Sequence, residues 1–179
     1  MFYRPARIIR LPVDIRGRKY IHWGTNFTTG FNCRIEAVPE AQEVSLVIGD
    51  NVQINDYVHI TAMKKVRIGD HVLIASKVYI SDCSHGSYSG DENDTSPEIP
   101  PAERVLRASH VIIEDRVWLG EHVSVLPGVT IGRKHHRFFA FDLVTTLKYI
   151  HCLLQILPGW KVPELSRKML KRNCGKCSR

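Results

Sequence analysis

The chain has 179 residues, of which 44% are hydrophobic, and this is enough for one domain with a sizeable core. Its net charge of +7 is unevenly placed: residues 1–132 carry 14 Lys or Arg and 16 Asp or Glu, whereas residues 133–179 carry 11 and 2. The excess of basic over acidic residues lies only in residues 133–179. The net charge therefore gives no reason to expect that the whole domain binds nucleic acid.

Residues 1–22 are basic and mildly apolar, with Pro5 and Pro12 as breakers, and they predict a lead-in strand or a cap. No apolar segment with a cleavage site is visible at this end. The five cysteines form an odd, scattered set, which indicates reduced thiols and not a disulfide framework. We therefore expect a cytoplasmic protein.

A six-residue period governs residues 23–132, with breaks at 36–47 and after Ser81 and with two extra residues in the segment MKKV, 63–66. A helix would need apolar spacings of three and four, and a two-sided strand would need simple alternation over one short run. β-Branched residues and glycines on a period of six instead predict a parallel β-helix of hexapeptide repeats. The first places of the hexads are Trp23, Thr29, Ile35, Ile48, Ile54, Ile60, Ile68, Ile74, Ile80, Ile113, Leu119, Val125 and Ile131.

Three hexads would make one triangular coil, and the coils would stack about 4.8 Å apart. First-place side chains would point inward. Glycines that follow them, such as Gly24 and Gly30, would turn the corner where a β-carbon would crowd the backbone. The alternative is an ordinary β-sandwich whose residues fall in sixes by coincidence.

The longest break, residues 82–110, predicts an inserted loop that contains SDCSHGSYSG and the acidic, proline-rich DENDTSPEIPPAE. The repeats, the histidine loop and VIIEDRVWLGEHVSVLPGVTIG together resemble the left-handed β-helix O-acetyltransferases. The likeness is to the maltose and galactoside enzymes and especially to the exopolysaccharide, O-antigen and colanic acid O-acetyltransferases. It covers about residues 15–132. It implies an all-β fold, a homotrimer, acetyl-coenzyme A bound between neighbouring subunits, a saccharide acceptor and no metal.

Two residues carry the chemistry that the resemblance implies. His85 matches the family's catalytic histidine; a neutral imidazole can take the proton of an attacking sugar hydroxyl at neutral pH. Asn55 matches an asparagine that reaches the acceptor, and its amide can donate to an oxyanion. The alternatives are a loop histidine without a role and a corner asparagine that only accommodates an unusual backbone angle. Asp82 could orient His85, or it could be a surface aspartate in a turn.

Trp118, Gly120 and Glu121 match positions that line the family's coenzyme groove. Trp118 occupies an outward place, where an exposed tryptophan usually indicates an interface. A subunit contact without coenzyme is the alternative. Tyr88 and the acidic run are expected to form an exposed arm over the acceptor pocket, suited to a larger saccharide.

The family pattern ends at Gly132, where the usual further coil does not follow. Apolar residues in 133–157 recur at threes and fours, which predicts a helix before Pro158. The basic tail, 133–179, is either a native amphipathic segment that touches the inner face of the membrane or the product of a slipped reading frame. A single CxxC, Cys174 and Cys177, is weak evidence for zinc.

The sequence as a whole predicts an acetyl-coenzyme A-dependent O-acetyltransferase that acts on a cell-surface polysaccharide or its precursor. Residues 23–132 would form the acyltransferase domain. The alternative is an inactive or scaffolding β-helix remnant that lacks its last coil.

Overall fold

The computed structural model describes residues 4–88, 90 and 92–132, and the predicted tail helix and the CxxC lie outside these residues. Within them the chain winds through three parallel sheets in turn, so that each circuit makes one triangular coil. The strands are β1 Val13–Arg16, β2 Ile21–Trp23, β3 Cys33–Ala37, β4 Leu46–Ile48, β5 Gln53–Ile54, β6 His59–Ala62, β7 Val66–Ile68, β8 Leu73–Ile74, β9 Tyr79–Ser81, β10 Cys83–His85, β11 Leu106–Ala108, β12 Val111–Ile113, β13 Trp118–Leu119, β14 Ser124–Val125 and β15 Thr130–Ile131.

Three faces of the prism follow from the strand order. The first face holds β2, β4, β7, β12 and β15, the second holds β5, β8 and β13, and the third holds β1, β3, β6, β9 and β14. Strand β1 pairs with β3, so residues 13–16 extend the third face below the first full coil. Short 3-10 turns occupy Arg18–Tyr20 and Pro101–Glu103.

The predicted hexad register is confirmed by the register of the strands. Ile48 pairs with Ile68, and Ile68 with Ile113, each one coil further along. The first-place side chains from Trp23 to Val125 are at most 2% exposed and form one continuous core. Burial of these stacked apolar side chains is the main driving force for the fold, at about 25 cal/mol per Å².

Close approach of the next coil requires the corner glycines, as predicted. A β-carbon on Gly49 would lie 2.2 Å from Asp70 Oδ1, and one on Gly24 would lie 2.2 Å from Asp50 Oδ1. The aspartates lie this close because each carboxylate accepts a hydrogen bond from a backbone N–H group of the preceding coil. Thr25 donates to Asp50 Oδ1 at 2.6 Å, and Asp50 donates to Asp70 Oδ1 at 2.8 Å. This aspartate ladder satisfies donors that would otherwise be unpaired at the corner.

Candidate functional site

Asn55 lies at the corner between the second and third faces, which we name the Asn55 corner and define as residues 55–57, 75–77 and 120–122. The backbone N–H of Asn55 donates to Ile74 O, and that of Ala75 to Leu119 O, both at 2.9 Å. These bonds stack residues 55, 75 and 120 on consecutive coils.

The alternative reading of Asn55, as a residue placed there for an unusual backbone angle, is wrong. The left-handed residue at this turn is Tyr57, with φ of 58°, and Asn55 is not among the residues with positive φ. Asn55 is exposed. Its amide is therefore presented at the surface, where it can donate hydrogen bonds.

Trp118 leads into the same corner from the second face. It pairs in register with Leu73, and both side chains are 40% exposed. Gly120, which is buried, and Glu121, which is exposed, follow directly. The three residues expected at the coenzyme groove thus lie next to Asn55, two coils further along.

Lys77 is an exposed cation at the same corner that the sequence analysis did not identify. Its sequence signal is only its place three residues after Ile74.

His85 lies at a different corner, between the third and first faces, which we name the His85 corner and define as residues 63–65 and the loop 82–110. Strand β10 pairs antiparallel with β11, so that His85 faces Leu106 at the end of a short hairpin. The Tyr88 hydroxyl donates to His85 O, and Arg104 Nη1 donates to that hydroxyl at 2.6 Å. These contacts fix the backbone at His85, while its side chain is exposed.

Both sequence interpretations of Asp82 are wrong. It is not a surface residue, and its carboxylate does not contact the His85 ring, because its side chain is fully buried and both oxygens accept backbone hydrogen bonds. Oδ1 accepts from Met63 N at 2.8 Å, and Oδ2 accepts from Lys64 N and Lys65 N, both at 2.7 Å. Asp82 therefore caps the turn that ends the coil below.

A polar cluster on the third face lies between the two corners, and sequence reasoning missed it. Glu36 is buried although it occupies an outward place in β3. Its carboxylate accepts from Arg34 Nη2 and Thr61 Oγ1, both at 2.8 Å, and lies 3.2 Å from His59 Nε2. Burial opposes ionisation, but the hydrogen bonds from Thr61, Arg34 and His59 outweigh it and hold the pKa of Glu36 below its ordinary value.

The predicted arm is exposed, as expected. Tyr88 is 46% exposed, and most of residues 92–107 are exposed as well. Among the residues that the structure describes, no group of three or more His, Cys, Asp or Glu side chains could hold a metal ion. In the same part of the chain, the structure contains no helix long and apolar enough to cross a membrane.

Comparison with curated proteins gives clear relatives, although no family model matches the chain. The chain is 49% identical over 132 residues to an Escherichia coli K12 protein named lipopolysaccharide biosynthesis O-acetyltransferase WbbJ, covering 74% of this chain and 66% of WbbJ. It is 30% identical over 87 residues to the E. coli K12 protein named colanic acid biosynthesis acetyltransferase WcaF, covering 49% and 41%. The aligned part thus spans just under two thirds of the length of WbbJ.

Solved structures show the same fold. AntD, an N-acyltransferase from Bacillus cereus, superposes with a TM-score of 0.55 at 21% identity over 71% of this chain and 66% of AntD. That structure is an S84A mutant in complex with dTDP-4-amino-4,6-dideoxyglucose and coenzyme A. The S84C mutant gives a TM-score of 0.56 at the same identity, over 64% of its chain.

The stacked hexads and these neighbours define the fold class as the left-handed parallel β-helix, as the sequence predicted. With WbbJ and WcaF as relatives, the chain is similar to the hexapeptide-repeat acetyltransferases.

Proposed function

We propose that the protein is an acetyl-coenzyme A-dependent O-acetyltransferase whose acceptor is a sugar hydroxyl of a cell-surface polysaccharide or its precursor. The observation that supports this best is the collection of Asn55, Trp118, Gly120 and Glu121 at one corner, with His85 on a braced hairpin at another. Residues 23–132 form the acyltransferase domain in this proposal.

The reaction needs a base and an oxyanion donor. The neutral imidazole of His85 takes the proton of the acceptor hydroxyl as its oxygen attacks the thioester carbonyl carbon. The Asn55 amide donates to the oxyanion of the tetrahedral intermediate or holds the acceptor. When the intermediate collapses, the carbon–sulfur bond breaks, and the imidazolium returns the proton to the leaving thiolate. The products are the acetyl ester and free coenzyme A.

Asn55 and His85 lie at different corners of one chain, and this favours a site formed between two subunits. Asn55 follows β5 on the second face, whereas His85 follows β9 on the third face, so the width of the third face separates the points where they leave the coils. A second copy that brings its His85 corner against the first copy's Asn55 corner would complete the site. We propose a homotrimer, in which closed rotational symmetry repeats this contact three times.

The coenzyme is assigned to the Asn55 corner. Trp118 offers an exposed aromatic surface there, and Gly120, although buried, has no side chain that would keep a ligand away from its backbone. Lys77 would add a positive charge for the coenzyme's phosphates. No metal has a role in this mechanism.

The acceptor class is supported by the names of two relatives, one assigned to lipopolysaccharide and one to colanic acid biosynthesis. The exposed arm that follows Tyr88 suits an extended saccharide more than a single sugar. Such acceptors are built at the inner membrane, so we place the protein in the cytoplasm and propose that its basic tail contacts the membrane surface.

Acetyl transfer to a panel of bacterial oligosaccharides tests the proposal. His85→Ala should remove transfer while the assembly stays intact, and no covalent acetyl-enzyme should be trapped. His22→Ala, an exposed histidine on the first face, is the matched control and should keep wild-type activity. A fully active His85→Ala protein would contradict the mechanism. Analysis of the product distinguishes an acetyl ester from an amide on an amino sugar.

A second candidate is a non-catalytic β-helix, which the loss of the hexad register after Gly132 favours. Calorimetry with acetyl-coenzyme A separates the two. Binding near micromolar affinity supports the enzyme, and absence of binding supports the remnant.

A further inference from the structure

Asp82 is a buried carboxylate that faces three backbone donors and has no exposed surface. A carboxylate with no solvent is costly unless hydrogen bonds satisfy it, and three successive N–H groups of residues 63–65 do so at 2.7–2.8 Å. This arrangement is rigid, because any movement of the carboxylate away from the three N–H groups would leave a buried charge without hydrogen bonds.

The same residue closes the base of the loop that carries His85. The Asp82 carbonyl accepts from Ser109 N at 2.8 Å, so the two ends of the insertion meet at this point. Directly after it, Cys83 pairs with Ala108 as the hairpin begins. His85 follows only three residues after Asp82.

We propose that Asp82 is the positioning residue for His85: it fastens the hairpin to the coil below and thereby sets where the imidazole stands. Its own carboxylate does not touch the reacting atoms. The role in catalysis rests on the function proposed above, whereas the fastening itself does not.

The experiment compares Asp82→Asn with wild type. An asparagine has the same shape, but its amide nitrogen would face one or two of the three N–H donors, so at most two of the contacts survive. The matched control is Asp50→Asn, which weakens a similar carboxylate cap, on Thr25 N and Oγ1, at the corner between the first and second faces. Any general loss of stability should be shared by both variants.

Two readouts are measured on the full chain. The first is amide hydrogen exchange at Gly86, whose N–H donates to Val105 O at 3.0 Å within the hairpin. Asp82→Asn should speed this exchange at least about tenfold, whereas Asp50→Asn should not. The second is acetyl transfer, where Asp82→Asn should lower kcat about ten- to hundredfold with KM for acetyl-coenzyme A nearly unchanged.

The outcomes separate the two proposals. Unchanged Gly86 exchange in Asp82→Asn, or an equal acceleration in Asp50→Asn, would overturn the fastening role. Faster exchange with an unaltered kcat would overturn the positioning role. If wild type transfers no acetyl group at all, the proposed function fails, and the exchange data still decide whether Asp82 holds the hairpin.

Discussion

Asn55 and His85 are thirty residues apart in the chain and lie at different corners of the coil stack. The second and third faces meet at Asn55, and the third and first faces meet at the loop of His85. A base and an oxyanion donor that act on one substrate must be close together. The proposed mechanism therefore requires assembly, and several measurable consequences follow from the residues at each corner.

Trp118→Ala should weaken acetyl-coenzyme A binding, because it removes the exposed aromatic side chain of the second face beside the Asn55 corner. A loss of about 1–2 kcal/mol corresponds to a Kd about tenfold higher, measured by calorimetry. Leu73→Ala is the matched control, because Leu73 lies beside Trp118 in register and is equally exposed. An unchanged Kd in Trp118→Ala would favour a plain subunit contact at this position.

Gly49→Ala should destabilise the fold by about 2 kcal/mol or more, because the new methyl group would overlap its neighbours in a packed corner. The added β-carbon would lie 2.2 Å from Asp70 Oδ1 and 2.8 Å from the Gly69 carbonyl carbon. Urea unfolding at one protein concentration measures the effect. Ala75→Gly removes a methyl group after an inward residue at another corner and should cost less than about 1 kcal/mol. Equal costs for the two variants would contradict the close-approach explanation.

Glu36 should make the stability of the protein depend on acid pH. Its folded pKa is depressed below the ordinary value of 4.5, so the stability it contributes is fully present above that value. This contribution is lost as pH falls through the lower folded pKa. At pH 7, Glu36→Gln should be less stable by about 1–3 kcal/mol, because hydrogen bonds to a charged group are lost.

The pH profile separates this role from simple packing. The stability difference between wild type and Glu36→Gln should shrink as the pH falls below 4.5. Glu43→Gln, at an exposed position, should show no such dependence. A difference for Glu36→Gln that stays constant from pH 7 into the acid range would show that ionisation of Glu36 does not stabilise the fold.

The core could be predicted from the sequence because it depends on spacing alone. Ile54, Ile74 and Leu119 fall at first places of their hexads, and the structure stacks them in register. Each inward place is defined by its neighbours six residues away. The period therefore resumes after the breaks at 36–47 and 82–110, both of which occur where the chain passes from the third face to the first.

Polar contacts between coils were not predictable in the same way. Asp82 contacts residues 17 to 19 positions earlier, and Glu36 contacts Thr61 25 positions later. Neither distance is visible until the breaks and the stacking order are known, so an outward glutamate and a loop aspartate resemble ordinary surface residues. The alternation of the charged Arg34 and Glu36 with apolar neighbours was the local sequence signal for the cluster.

Complementation between two inactive variants tests the central claim most directly. His85→Ala and Asn55→Ala should each lose acetyl transfer when made alone. Co-expressed in equal amounts, they should form mixed trimers in which about a quarter of the sites combine an intact His85 from one chain with an intact Asn55 from the next, given random assembly with one such pair at each interface. Acetyl transfer should therefore return to about a quarter of the wild-type rate. If each chain carries its own complete site, the mixture will stay inactive, and the intersubunit site is contradicted.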